Sequence, residues 1–145
     1  MTGPETHTPR QRVEVECARR GRADLVAAMA RQLSGADVDA ELIVALGGPA
    51  GAAVLAGGGG GVTGYWPRVW AARGLLHVWD EEATVALVDA AHDPSWRVRE
   101  MVAKVVARHR VDEALEAIDG LRADPVPRVR QAAERALRAL AGDAG

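Results

Sequence analysis

Two stretches decide how this chain folds: Asp93-Pro94-Ser95-Trp96-Arg97-Val98-Arg99 and, 31 residues later, Asp124-Pro125-Val126-Pro127-Arg128-Val129-Arg130. Each opens a segment with one apolar stripe at helical spacing. The stripe is Val98, Met101, Val102, Val105 and Val106 in the first, and Val129, Ala132, Ala133, Ala136 and Leu137 in the second. The i, i+3, i+4, i+7 pattern is that of an amphipathic helix. A second helical stretch precedes each motif, from Glu81 to Ala91 and from Asp112 to Leu121. The unit is therefore a helix, a tight Asp-Pro turn, a second helix and a short loop. A weaker upstream copy, Tyr65-Trp66-Pro67-Arg68-Val69-Trp70, aligns at an offset of 29 when its Arg-Val is laid on Arg97-Val98. A helix pair of this length cannot bury its apolar faces alone, so stacked pairs are expected.

These motifs resemble the HEAT-repeat family, in particular its short bacterial, phycocyanobilin-lyase-like variety. The matching marks are Asp93 and Arg99 with Val98 between them, and Asp124 and Arg130 with Val129. The resemblance implies an all-α fold, a right-handed α-solenoid of stacked antiparallel helix pairs in a single domain. It also implies that Asp93, Arg99, Asp124 and Arg130 form a ladder between neighbouring repeats. In the 29-residue alignment Gly64 and Trp70 stand at the Asp and Arg positions of the first copy, so the ladder is expected to stop there.

The rest of the chain reads as follows. Residues 1–9 are expected to be a disordered tail, with Thr8 capping a helix that has Pro9 in its first turn. Residues 10–56 form N-terminal helices broken at Gly21, at Ser34-Gly35 and at Gly47-Gly48-Pro49, with Asp37 capping the third. Residues 57–64 are a Gly-rich loop, 65–140 the repeats and 141–145 a tail.

Composition narrows the function. The 145 residues carry 18 basic and 20 acidic side chains, a net charge of −2, which disfavours a strongly basic nucleic-acid binder. No apolar run approaches the roughly 20 residues of a membrane span, and the polar N-terminus has no signal-peptide character. Cys17 is the single cysteine, which excludes an intramolecular disulfide and fits a reducing, cytoplasmic setting. One lysine, Lys104, among many arginines, with abundant Ala, Gly and Val, fits a GC-rich bacterial genome. With no Phe, the core must be built from Ala, Val and Leu.

No catalytic constellation stands out. The glycine run Gly57–Gly61 lacks the Lys-Ser/Thr that a P-loop needs. His7, His77, His92 and His109 lack metal-ligand spacing, so no metal or cofactor is expected. Ser95 and Asp80-Glu81-Glu82 read as helix caps. Two features remain as a candidate binding surface. One is the row Arg68, Arg97 and Arg128, each in a first helical turn, where a cation is electrostatically disfavoured. The other is the aromatic cluster Tyr65, Trp66, Trp70, Trp79 and Trp96. At the 29-residue offset Arg73 and His77 fall on the stripe positions of Val102 and Val106; they are either buried and hydrogen-bonded or line a groove.

The expected function is a non-enzymatic protein-interaction or scaffold module whose concave face holds an unknown protein or peptide, acidic if the arginine row contacts it. Monomer and dimer are both open. The alternatives are nucleic-acid binding of the kind that HEAT-like alkyl-base DNA glycosylases carry out, and a lyase- or chaperone-like role.

Overall fold

The computed structural model describes residues 6–36 and 38–142, and all regular structure among them is helical. Helix α1 (Pro9–Arg20) starts at a reciprocal cap. The Gln11 amide donates to the Thr8 hydroxyl at 3.2 Å, and the Thr8 amide donates to the Gln11 side chain at 2.8 Å. Gly21 turns the chain into α2 (Arg22–Leu33). Helix α3 (Ala40–Gly47) is capped by Asp39, whose carboxylate accepts from the Leu42 amide at 3.0 Å. Asp37, expected in that role, lies outside the described residues, as do residues 1–5 of the N-terminal segment and 143–145 of the C-terminal one.

Helix α4 (Pro49–Leu55) leads into the glycine run. Residues Gly58–Thr63 wind as 3-10 turns, with Gly59, Gly60 and Gly61 all at positive φ. Three long helices follow, α5 (Trp66–Gly74), α7 (Trp96–His109) and α9 (Pro127–Leu140). Between them lie α6 (Thr84–Asp89) and α8 (Leu115–Gly120), each flanked on both sides by a 3-10 turn. Helix α7 packs against both α5 and α9, and α2 covers α5 from the N-terminal side. The α2–α5 approach is close because Gly74 has no side chain: a Cβ there would fall 2.4 Å from the Met29 sulfur.

The buried side chains correct the repeat register. Val102, Ala103, Val105 and Val106 are fully buried on α7. Their counterparts on α5 are Ala71, Ala72, Gly74 and Leu75, also buried, each 31 residues earlier. The offset between these repeats is therefore 31, not 29. The Arg-Val match at residues 68–69 and 97–98 was a local coincidence, and the helix interior decides which side chains stack. In the true register Arg68, Arg99 and Arg130 are equivalent. Arg73 and His77 correspond to Lys104 and Arg108, outside the apolar stripe.

The expectation that the ladder stops at the first copy is corrected with it. Arg68 Nε and Nη2 donate to the Asp93 carboxylate at 2.8 and 3.2 Å. Arg99 grips Asp124 in the same way, at 2.7 and 3.3 Å. Each arginine also ties its own turn, Arg68 to the Gly64 carbonyl, Arg99 to that of Asp93 and Arg130 to that of Asp124. Bidentate charge-assisted pairs of this kind fix geometry as well as adding energy. Burial opposes the charge of Asp124, but Arg99 and the Val126 amide outweigh it and hold its carboxyl below the usual range.

Candidate binding surface on the long repeat helices

Arg68, anchored between Gly64 and Asp93, leaves the arginine row. The two that remain, Arg97 and Arg128, sit at the second position of α7 and α9. Ser95 caps α7, accepting from the Arg97 amide at 3.3 Å. The Arg97 side chain lies back over the preceding repeat, beside Tyr65 and Trp66. Its guanidinium carbon lies 4.6 Å from the Trp96 ring centre, 5.3 Å from that of Tyr65 and 5.6 Å from that of Trp66. Arg128 stands 5.2 Å from Trp96 and donates to Glu100 at 3.0 Å. Glu100 is buried and is also approached by Lys104 at 3.9 Å. Among the described residues, no carboxylate pairs with Arg97. Cation–π contacts of this geometry contribute about 0.5–1 kcal/mol each when exposed.

The aromatic residues divide. Trp70 is a core residue, 6% exposed, with its ring against Gly47. Trp66 stacks on Trp70 at 6.1 Å and is half-buried, as are Tyr65 and Trp96. A shallow apolar cavity of about 310 Å³ is lined by Ala53, Val54, Gly59, Trp66 and Trp70, so the glycine turn forms one of its walls. A second, of about 330 Å³, lies between Tyr65, Arg68, Pro94, Ser95, Trp96 and Arg97. Trp79 stands apart, half-buried and stacked on His109 at 5.2 Å; His109 Nε2 is 2.7 Å from the Leu75 carbonyl.

Arg73 and His77 join a different part of the surface. Arg73 is half-buried, with one hydrogen bond to the Leu46 carbonyl at 3.4 Å, and His77 is exposed. Desolvation, followed by the charges of Arg10, Arg108 and Arg73, holds the His77 imidazole below its ordinary range.

Net charge concealed a further feature. Helices α5, α7 and α9 carry ten basic residues and two acidic ones, Glu100 and Glu134. The alternate segments, residues 80–92 and 112–123, carry eight acidic residues and one basic one, Arg122. A near-neutral chain is thus strongly polarised. Counting charge helix by helix in the 31-residue register exposes it, with Arg73, Lys104 and Arg135 forming one equivalent set and His77 and Arg108 another.

Alternating helix pairs joined by an Arg–Asp ladder define a helical-repeat protein. A family model described as HEAT repeats matches residues 65–138, just over half of the chain, and the chain belongs to that family. No curated protein and no solved structure shows a detectable match. HEAT repeats generally mediate protein–protein interaction. No helix among the described residues is long and apolar enough to cross a membrane.

Proposed function

We propose that this chain is a non-enzymatic, cytoplasmic interaction module. In this reading its helix pairs, including residues 10–56, form one right-handed solenoid. The face of α5, α7 and α9 holds an acidic segment of a partner protein. The observation that carries the reading is Arg97, a guanidinium held between Tyr65, Trp66 and Trp96 without a carboxylate partner among the described residues. Aromatic rings and arginine together are the residue types that dominate binding energy at protein interfaces. The unpaired charge of Arg97, with Arg128 beside it over Trp96, supplies complementarity to an acidic chain.

The same charge favours a phosphate backbone as the rival ligand. The rings argue against single-stranded nucleic acid. Arg97 and Arg128 lie beside the Trp96 ring, and Trp70 and Arg97 beside that of Trp66, so a base stacking there competes with contacts already made.

Calorimetric titration with a glutamate-rich 15-residue peptide tests the proposal, with the same peptide bearing glutamine at each glutamate and a short DNA duplex as comparators. Wild type binds the acidic peptide most tightly. A double variant, Arg97→Glu with Arg128→Glu, loses about tenfold or more of that affinity. Equal affinity of variant and wild type, or a clear preference for the duplex, overturns the reading.

A further inference from the structure

Where α1, α3 and α5 meet, cations are gathered without the carboxylates to balance them. The half-buried Arg73 reaches the Leu46 carbonyl, near the end of α3. Arg12 of α1 lies across Gly48, the next residue but one, so closely that a Cβ there would fall 2.3 Å from its guanidinium carbon. Both guanidiniums thus rest on the C-terminal end of α3. That end offers about half an elementary negative charge, against two full positive charges. His77 and Arg108 extend the cluster along the neighbouring repeat.

The nearby carboxylates are already committed. Glu14 is held by Arg10 at 3.1 Å, and Glu16 by Arg19 and Arg20. Among the described residues Arg12, Arg73 and Arg108 form no ion pair. Burying a guanidinium beside another of the same sign is unfavourable unless a counter-charge arrives from outside the chain. Desolvation and the Arg12 charge both act to push the Arg73 guanidinium below its ordinary range, as expected for a cation lacking its counterion.

We infer that this corner binds a phosphoryl dianion, held by Arg12 and Arg73, with His77 and Arg108 at its rim. Guanidinium forks match phosphate oxygens in geometry, and two of them match the charge of a dianion. The residues are not those of the Arg97 stack, so this site stands or falls apart from the peptide-docking proposal. The phosphoryl group can belong to a modified side chain of a partner or to a small free phosphate.

The full-length protein is titrated with inorganic phosphate, with a phosphoserine pentapeptide and with malonate, at ionic strength matched by sodium chloride. The histidine ring signals are followed by NMR across pH. A dianion placed among these cations raises the His77 titration midpoint by about half a pH unit or more. It also produces saturable shifts that weaken about fivefold or more in Arg108→Ala and in Arg73→Met. Arg108 is exposed, so its removal does not threaten the fold. A phosphopeptide that binds more tightly than phosphate identifies a modified partner as the source; the reverse identifies a free phosphate. Shifts no larger than those caused by chloride overturn the inference. So does malonate binding as well as phosphate, or unchanged binding in both variants.

Discussion

The Arg68–Asp93 rung is the sharpest consequence of the 31-residue register, because it makes two ion pairs structurally equivalent that the sequence does not present as equal. The side chains of Arg68 and Asp93 are 20% and 7% exposed, and those of Arg99 and Asp124 14% and 5%. Both pairs are thus shielded from solvent. The perturbation is a double-mutant cycle of Arg68→Met and Asp93→Asn. Asparagine keeps an oxygen for the Ser95 amide, which donates to Asp93 at 2.9 Å, so the turn survives. Each single change leaves one largely buried charge unpaired, at a cost of about 3 kcal/mol. The double change removes both charges, so its cost falls short of the sum by about 1.5–3 kcal/mol, the coupling of a charged hydrogen-bonded pair. Urea unfolding monitored by helical circular dichroism measures all four proteins. The parallel cycle at Arg99 and Asp124 gives a coupling equal within about 1 kcal/mol. A coupling at Arg68–Asp93 below about 0.5 kcal/mol, the value of a solvent-screened surface pair, would refute the reasoning.

Three further outcomes follow from the same geometry. Glu16, Asp39 and Asp124 all have carboxyls held below the usual range against the opposing effect of burial, Glu16 and Asp124 chiefly by arginine partners and Asp39 by the Leu42 amide and then Arg20. Their contribution is complete above about pH 4.5, the unfolded carboxylate range, and is lost as pH falls through their lower folded values. Acid titration of stability therefore shows a decline confined to the region below about pH 4.5, and a flat profile from there to pH 2 contradicts it. Arg110 ends α7 in the left-handed region at φ 53, so Arg110→Gly stabilises by about 0.5–1 kcal/mol in the same urea assay, and destabilisation contradicts this reading. The Thr84 hydroxyl is buried without a hydrogen-bond partner among the described residues; Thr84→Val is therefore neutral or stabilising by about 1 kcal/mol, and a loss above about 1 kcal/mol shows that a partner exists.

Much of the helical framework was legible because its signals are local. Thr8-Pro9, Gly21 and Ser95 each mark a boundary through capping chemistry that involves residues at most four apart. The stripes of α7 and α9 were equally readable, since burial repeats with the helical period. The register of the first repeat was not. Arg68-Val69 copies Arg97-Val98 as a dipeptide, whereas the buried Ala71, Ala72 and Leu75 are small or common residues that do not announce their alignment. The binding surface was legible in kind rather than in arrangement. Trp96 and Arg97 are chain neighbours, but the Tyr65 and Trp66 rings that complete the stack come from another helix. Arg12 lay beyond reach altogether, because its proximity to Arg73 arises from where α1 and α5 each meet α3.

The central claim, that the face of α5, α7 and α9 docks an acidic partner, is tested most directly by affinity capture from lysate, with and without nuclease, and quantitative mass spectrometry. Wild type is compared with the Arg97→Glu, Arg128→Glu variant, with Arg68 left in its ladder and the helical spectrum unchanged. The account predicts a protein bearing an acidic segment that wild type enriches, the variant loses by about tenfold, and a peptide of that segment displaces. Retention of the same proteins by the variant, or recovery that vanishes on nuclease treatment, contradicts it.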